Sequence, residues 1–210
     1  MERLDQYGQW IFNLAYVNLL WLLFTAAGLI FLSIFPATIA MITCIRRWRE
    51  MPDRGVKFDE FLKIFKKEFK GANRLGLFIL PIIVLATVNT NLVVTYNSEI
   101  PLVLMMMYVI SLMFLFVLFI HLFTVYVYFE KRPLQAIVTS ISFGFSKPFK
   151  TMITFMFLTL VLMLIFSTAG AAMFFGVSLA GYMLVRRNGR HYEQVASEQF
   201  SFRQKEAVSV

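Results

Sequence analysis

Four long segments of the chain contain no Asp, Glu, Lys or Arg. They cover residues 6–45, 75–98, 100–129 and 151–185 of the 210-residue sequence. Each is longer than the ~18 apolar residues that indicate a membrane span, and the mean hydropathy of the chain is +0.71. A water-soluble globular domain is therefore excluded. The sequence predicts an all-α fold, a polytopic transmembrane helix bundle.

The first of these segments is too long for a single crossing. Counted from Trp10, it would extend roughly 50 Å as one helix, whereas the hydrocarbon core of a bilayer is ~30 Å thick. Pro36 offers a break, because proline is favoured in the first turn of a helix and disfavoured inside one. We therefore expect a span at about 10–32, a turn just before Pro36 and a short helix at 36–48. If that short helix does not cross, the chain has five spans instead of six.

A basic region follows this N-terminal hairpin. Residues 46–74 hold ten of the 20 Lys and Arg of the chain, so the positive-inside rule places them in the cytoplasm. An amphipathic helix is predicted at about 57–70, with phenylalanines on one face and Lys63, Lys66, Lys67 and Lys70 on the other. Two compatible interpretations stay open. The helix lies in the membrane interface with its lysines on anionic lipid headgroups, or it packs its phenylalanines against the bundle.

The rest of the chain reads as further spans that begin or end at basic flanks. Spans are predicted at about 75–94, 101–129, 151–167 and 173–185, and a second cytoplasmic-side amphipathic helix at about 134–149. This arrangement gives six spans in one transmembrane domain, residues 1–187. Both termini are then cytoplasmic, and residues 188–210 form a polar tail without a helix pattern.

Three small residues suggest how the last span packs. Ala172, Gly176 and Ala180 lie four apart, which predicts a helix face that lets a neighbour approach closely. Asn188-Gly189 is a typical pair to end that helix.

A few polar residues fall inside the predicted spans. His121 is a candidate proton carrier or metal ligand, yet a second ligand is missing, so no metal or cofactor is predicted. Asn18, Asn89 and Asn91 are candidates to line a substrate path together with His121. For all four the structural alternative, a hydrogen bond between helices, is favoured.

Other chemistry has little support in the sequence. No catalytic motif is present, so an enzyme is not expected. The net charge of +8 comes from basic residues at span ends, which indicates lipid headgroups and not nucleic acid as the counter-charge. Cys44 lies among apolar residues and is predicted to be an inert small hydrophobic side chain.

One stretch of the sequence resembles a known family. The residues are Asn13-Leu14-Ala15-Tyr16-Val17-Asn18-Leu19-Leu20-Trp21, then Phe24-Thr25, Gly28-Leu29, Phe35-Pro36-Ala37-Thr38-Ile39-Ala40-Met41 and Arg46-Arg47-Trp48, continuing through Phe58 to Leu77. In this third of the chain the sequence is similar to the YesL family of bacterial membrane proteins. The resemblance implies a small polytopic protein of the plasma membrane, often encoded beside uptake systems for plant-derived oligosaccharides, with no established activity and no catalytic positions to transfer.

From the resemblance we expect a non-enzymatic accessory or assembly partner of a bacterial carbohydrate uptake system. Its partners would be the bilayer and permease subunits of a sugar transporter. The alternative is a small transporter or channel with its own substrate path.

Overall fold

The computed structural model describes residues 2–96, 101–129, 133–167 and 169–208, and this part of the chain consists of helices and short connections, with no strand. The predicted all-α fold is confirmed. One short 3₁₀ turn, Pro52–Arg54, lies among seven helices. The helices are α1 (Glu2–Ala27), α2 (Ile30–Glu50), α3 (Phe58–Tyr96), α4 (Leu102–Phe129), α5 (Pro133–Ser146), α6 (Pro148–Ser167) and α7 (Ala169–Val208).

Long apolar helices make this a multi-pass membrane architecture. Within the described ranges, α1 to α4 are each long and apolar enough to cross a bilayer. A fifth candidate is the pair α5 and α6, which is bent by 100° at its break. The described chain thus has four or five candidate spans by length and composition, where the sequence predicted six or five.

The turn between the first two helices does not lie just before Pro36, where the sequence predicted it. The chain turns at Gly28 and Leu29, and Leu29 has a left-handed φ of 57°. A Cβ on Gly28 would lie 1.8 Å from the Ser33 hydroxyl oxygen, which donates a hydrogen bond to the Gly28 carbonyl. Glycine therefore makes room for the turn. Pro36 lies buried inside α2, so the predicted bounds 10–32 and 36–48 are wrong.

With the turn at Gly28 and Leu29, α2 has 21 residues and packs against α1. At 1.5 Å per residue it extends ~31 Å, close to the thickness of the hydrocarbon core. The indole N–H of Trp21 in α1 donates to the Thr38 hydroxyl in α2 over 3.0 Å. The segment around Pro36 is thus part of a full-length helix and not a short one.

The predicted amphipathic helix at 57–70 and the span at 75–94 form one continuous helix, α3. It has 39 residues, or ~58 Å. Its phenylalanine face packs on the bundle, because the rings of Phe58, Phe61 and Phe65 lie 5.7, 5.1 and 5.0 Å from the ring of Phe24 in α1. Phe61 is fully buried. Packing against the bundle is therefore the interpretation that the structure supports.

Helix α5 differs from the cytoplasmic-side amphipathic helix predicted at 134–149. It ends at Ser146 and runs back beside α4, since a Cβ on Gly144 would lie 2.3 Å from a methyl carbon of Val117, twelve residues before the end of α4. Ala136, Ser140 and Gly144 are all buried and lie four apart. This row of small residues permits the close approach of α5 to its neighbour.

The prediction of a polar tail without helix at 188–210 is wrong, because α7 continues as a helix to Val208. Asn188-Gly189 does not end it. A Cβ on Gly189 would lie 2.5 Å from the Tyr128 hydroxyl, so glycine serves a close approach of α7 to α4. Tyr192, inside the predicted tail, is 1% exposed.

The main core is the cluster where α1, α2, α3, α4 and α7 meet. Its fully buried side chains include Val17, Ile45, Leu75, Val125 and Val185. Cys44 is buried in the same cluster, in line with its predicted role as a small hydrophobic residue. The outer faces of α4 and α6 are apolar and exposed, as expected of surfaces that lipid covers.

Candidate functional site

His121 links three helices from the C-terminal half of α4. Its Nε2 lies 3.0 Å from the Thr151 hydroxyl of α6, and its Nδ1 contacts the Tyr192 hydroxyl of α7. The imidazole is 5% exposed. In a neutral imidazole one nitrogen donates and the other accepts, so both are satisfied by these two hydroxyls. The structure therefore shows His121 in the interhelical hydrogen bonding that the sequence favoured.

Further polar atoms lie on the same faces of α4 and α7. Thr124 Oγ1, Tyr128 OH and Asn188 Nδ2 are buried and have no hydrogen-bond partner among the described residues. Residues 121, 124 and 128 share one face of α4, and the rings of Tyr128 and Tyr192 are 5.5 Å apart. We call His121, Thr124, Tyr128, Thr151, Asn188 and Tyr192 the buried polar cluster. Such groups are where ordered water or a ligand supplies missing hydrogen bonds.

Two arginines of α2 hold the neighbouring helices at this end. Arg46 Nη1 donates to the Val127 carbonyl over 3.1 Å, in the last turn of α4, and its guanidinium lies 4.2 Å from the centre of the Tyr128 ring. Arg49 Nη1 donates to the Val185 carbonyl of α7 over 2.9 Å. At Val127 the cation of Arg46 satisfies a free carbonyl group at the C-terminus of a helix, whereas Val185 lies in the middle of α7. The basic exit of α2 thus has a structural role in addition to its charge.

Asn18 joins the first helix to the last. Its side-chain oxygen accepts hydrogen bonds from the backbone N–H groups of Val177, at 3.2 Å, and Ser178, at 3.0 Å. The side chain is 2% exposed. Asn18 therefore occupies an interhelical contact and not an open path.

The two asparagines of α3 lie in different environments. Asn89 is 6% exposed, and its Nδ2 has no hydrogen-bond partner within the described residues. Asn91 is exposed. The four predicted path residues therefore do not share one set of contacts, because Asn18 and His121 are each engaged elsewhere.

One of the four lysines of α3 borders a pocket that the sequence did not reveal. Lys63, Lys66, Lys67 and Lys70 are all exposed, and their contact with lipid headgroups stays a prediction. Lys67 also lines a cavity of about 280 Å³ between α2, α3 and α4, which we call the polar pocket. Its lining residues are Ile39, Thr43, Arg47, Ile64, Lys67, Glu68, Tyr126 and Val127.

Hydrogen bonds and an ion pair organise the polar pocket. The Tyr126 hydroxyl donates to Glu68 Oε2 over 3.0 Å, and Arg47 Nη1 lies 2.7 Å from Glu60 Oε1. A Cβ on Gly71 would lie 2.5 Å from the Tyr126 hydroxyl, so a glycine lets this tyrosine reach α3. Neither Tyr126 nor Glu68 is among the site residues predicted from the sequence. The sequence feature that could have indicated this close approach was Gly71, one turn after Lys67.

The small residues predicted to pack closely on α7 have different surroundings in the structure. A Cβ on Gly176 would meet nothing within 4 Å, whereas one on Gly181 would lie 3.0 Å from the Met41 terminal methyl. Ala180 packs against a small cluster that includes Ile120. Ala172 lies in α7, and its side chain is outside the described part. The close approach of α7 to α2 is therefore made at Gly181 and not at Gly176.

Known proteins similar to this chain share its length and lack an assigned activity. A family model described as a protein of unknown function, DUF624, matches residues 14–90. The chain is 28% identical over 196 residues to the uncharacterized protein YesL of Bacillus subtilis (strain 168), covering 93% of this chain and 92% of the relative. Two further proteins of the same organism are also uncharacterized. YesV is 29% identical over 83% of this chain and 84% of the relative. YteU is 30% identical over 89% of this chain and 83% of the relative.

No solved structure matches the chain significantly. The sequence relatives are aligned over most of their length, and the family model covers the α1–α3 region where the resemblance was seen. The chain therefore belongs to the YesL-like family of multi-pass helical proteins.

Proposed function

We propose that this protein is a non-enzymatic integral protein of the bacterial plasma membrane that acts as an accessory or assembly partner of a carbohydrate uptake system. The observation that carries the proposal is the length of α7. Its apolar sequence ends at Val185, yet the helix continues to Val208, ~34 Å further. This extension holds eight charged residues of both signs. A polar helix of that length is a surface suited to recognition by another protein.

The carbohydrate part of the proposal rests on the resemblance to the YesL family. That resemblance implies a place beside oligosaccharide uptake systems, and permease subunits are the partners that such a place suggests. In this proposal both termini face the cytoplasm, where α7 would meet the cytoplasmic loops of a permease. The bilayer, including anionic headgroups at the lysines of α3, is the other partner.

Contacts of the buried polar residues favour an accessory role over transport. Asn18 and His121 are used in bonds between helices, which stabilise a bundle. One observation favours the alternative of a small transporter or channel, namely the buried Asn89 Nδ2 without a described partner. A substrate that passes this position would supply the missing acceptor.

Purification of the full chain from its native membrane in mild detergent tests the proposal. We expect permease subunits of a sugar transporter to be recovered with it. A variant truncated after Val195 keeps Tyr192 and its contact with His121, and we expect it to fold but to lose those subunits. Saturable sugar flux by the pure protein in liposomes would establish the transporter instead and contradict a purely accessory role.

A further inference from the structure

A second cavity lies next to the polar pocket and is entirely different in character. It has a volume of about 570 Å³, is open to the side and is lined by apolar side chains of α2, α3, α4 and α6. Its floor includes the buried Ile79, Leu118 and Leu122, and its rim includes the exposed Ile83, Leu112 and Phe119. We call it the apolar groove.

The apolar groove and the polar pocket follow one another between the same three helices. On α2, Phe35 lines the groove, and Ile39, one turn later, lines the pocket. On α4, Phe123 lines the groove and Tyr126 the pocket. Helix α3 runs in the opposite direction and gives the same order in space, because Lys67, which lines the pocket, precedes Ile79, which lines the groove. The polar end therefore lies on the side of the basic region, and the apolar end lies deeper in the predicted bilayer.

The length of the groove matches one leaflet of a membrane. From Leu112 to Phe123 along α4 the distance is ~16 Å. Half of the hydrocarbon core is ~15 Å. The apolar groove has this length, is open to the side and ends at polar side chains. Its dimensions are therefore those of a lipid acyl chain below its headgroup.

The charges of the polar pocket are of both signs. Arg47 and Lys67 offer cationic donors, and the planar guanidinium of arginine suits phosphate oxygens. Glu68 offers a carboxylate whose Oε1 is 3.9 Å from the Lys67 ammonium, while its Oε2 is held by Tyr126. Arg47 is in turn paired with Glu60 at 2.7 Å, so the two cations are balanced by two carboxylates and the site does not favour a purely anionic headgroup. A headgroup that carries both a phosphate and an ammonium complements the whole set.

We propose that the polar pocket and the apolar groove together form a binding site for one aminophospholipid of the phosphatidylethanolamine class. Arg47 and Lys67 bind the phosphate, Glu68 accepts hydrogen bonds from the ammonium, and one acyl chain lies on Ile79, Leu118 and Leu122. The lipid site does not require a sugar transporter, so a result against the accessory role would leave this proposal unaffected.

Native mass spectrometry of the full-length protein tests the site. The protein is released from vesicles that contain equal amounts of phosphatidylethanolamine, phosphatidylglycerol and phosphatidylcholine. We expect one phosphatidylethanolamine to be retained preferentially by the wild type. Glu68→Gln keeps an acceptor for the Tyr126 hydroxyl but loses the charge, and Lys67→Gln loses a phosphate donor. Each is expected to lower the retained fraction by about tenfold, the effect of one charge-assisted hydrogen bond.

Two neighbouring residues provide matched controls. Lys66→Gln removes the same charge from an exposed position outside the pocket and is expected to leave retention unchanged. At the groove, Ile83→Trp fills the rim and is expected to exclude the lipid, whereas Val84→Trp places the same side chain at an exposed position that does not line it. These exposed sites allow the variants to fold.

Three results would overturn the proposal. One is equal retention of all three lipids, and another is retention of none by the folded wild type. The third is a dimer that dissociates on Ile83→Trp, since it would make a second copy of the chain the occupant of the groove.

Discussion

Asn18 in the first helix and Ser178 in the last are joined by a hydrogen bond of 3.0 Å, in which the backbone N–H of Ser178 donates to the Asn18 side-chain oxygen. The two residues are 160 positions apart in the sequence. The bond lies in a buried setting, where no water competes for either group. It holds α7 against α1 and so closes the bundle.

Replacement of Asn18 by Leu is expected to destabilise the protein by about 1–2 kcal/mol, because the N–H groups of Val177 and Ser178 lose their side-chain acceptor. Thermal unfolding in detergent, followed by circular dichroism, measures the effect. Asn91→Leu is the control, since Asn91 is exposed on α3. Equal melting temperatures for the two variants would show that the Asn18 bond contributes nothing.

His121 and Tyr192 are expected to be energetically coupled. Loss of the imidazole in His121→Leu leaves the buried hydroxyl of Tyr192 without its partner, at a cost of roughly 1–3 kcal/mol, whereas the Thr151 hydroxyl still donates to the Lys147 carbonyl over 3.2 Å. In Tyr192→Phe the hydroxyl itself is absent. The double variant should therefore be more stable than the sum of the two single changes predicts, by ~0.5 kcal/mol or more. A double-mutant cycle by chemical denaturation measures the coupling, and strict additivity would refute it.

Gly144→Ala is expected to loosen the packing of α5 on α4. The new methyl group would lie 2.3 Å from a methyl carbon of Val117, whose β-branched side chain has little freedom to move. Overpacking of this kind costs ~1–3 kcal/mol. We expect Val117→Ala to restore part of the loss in the double variant, measured by thermal unfolding.

The matched control for that change is Gly176→Ala in α7, where an added Cβ meets nothing within 4 Å. This variant should be neutral or slightly more stable, because alanine has a higher helix propensity than glycine by ~1 kcal/mol. If Gly176→Ala is the more damaging of the two, the close approach lies at the face that the sequence predicted.

Reporter fusions test the orientation of the first two helices. Trp10 and Trp48 lie at the same end of the α1–α2 pair, since both rings contact Tyr182, at 5.4 and 5.8 Å. Fusions after Met1 and Arg54 should therefore read the same side, which the basic residues predict to be the cytoplasm. A fusion after Ser98 should read outside. Opposite sides for Met1 and Arg54 would mean that only one of the two helices crosses.

The sequence predicted the helices better than their ends. The α4 helix was expected at 101–129 and is observed at Leu102–Phe129, because its apolar run is bounded on both sides by turn or basic residues. By contrast, the basic stretch before Leu75 looked like the end of an amphipathic helix. Gly71 allows Tyr126 to approach there, and the helix continues through it. Local composition does not report such a contact.

Among the candidate site residues, hydrogen bonds at His121 and Asn18 were foreseeable as a class, because polar side chains inside a bundle need partners. Their partners were not foreseeable. Thr151, Tyr192 and Ser178 are far from them in sequence and come close only when α6 and α7 fold back. The polar pocket was missed for the same reason, since Glu68 and Tyr126 belong to different helices.

By itself the sequence determined that this is a helical membrane protein, because the transfer of apolar and charged groups between water and lipid depends on residue type alone, and it predicts that the basic side faces the cytoplasm. The tertiary structure decided where α1 ends, that α3 does not break, that α5 runs back along α4 and which helices His121 joins. Those outcomes depend on how closely two helices approach. That distance is determined by the shapes of both surfaces, and a single stretch of sequence contains only one of them.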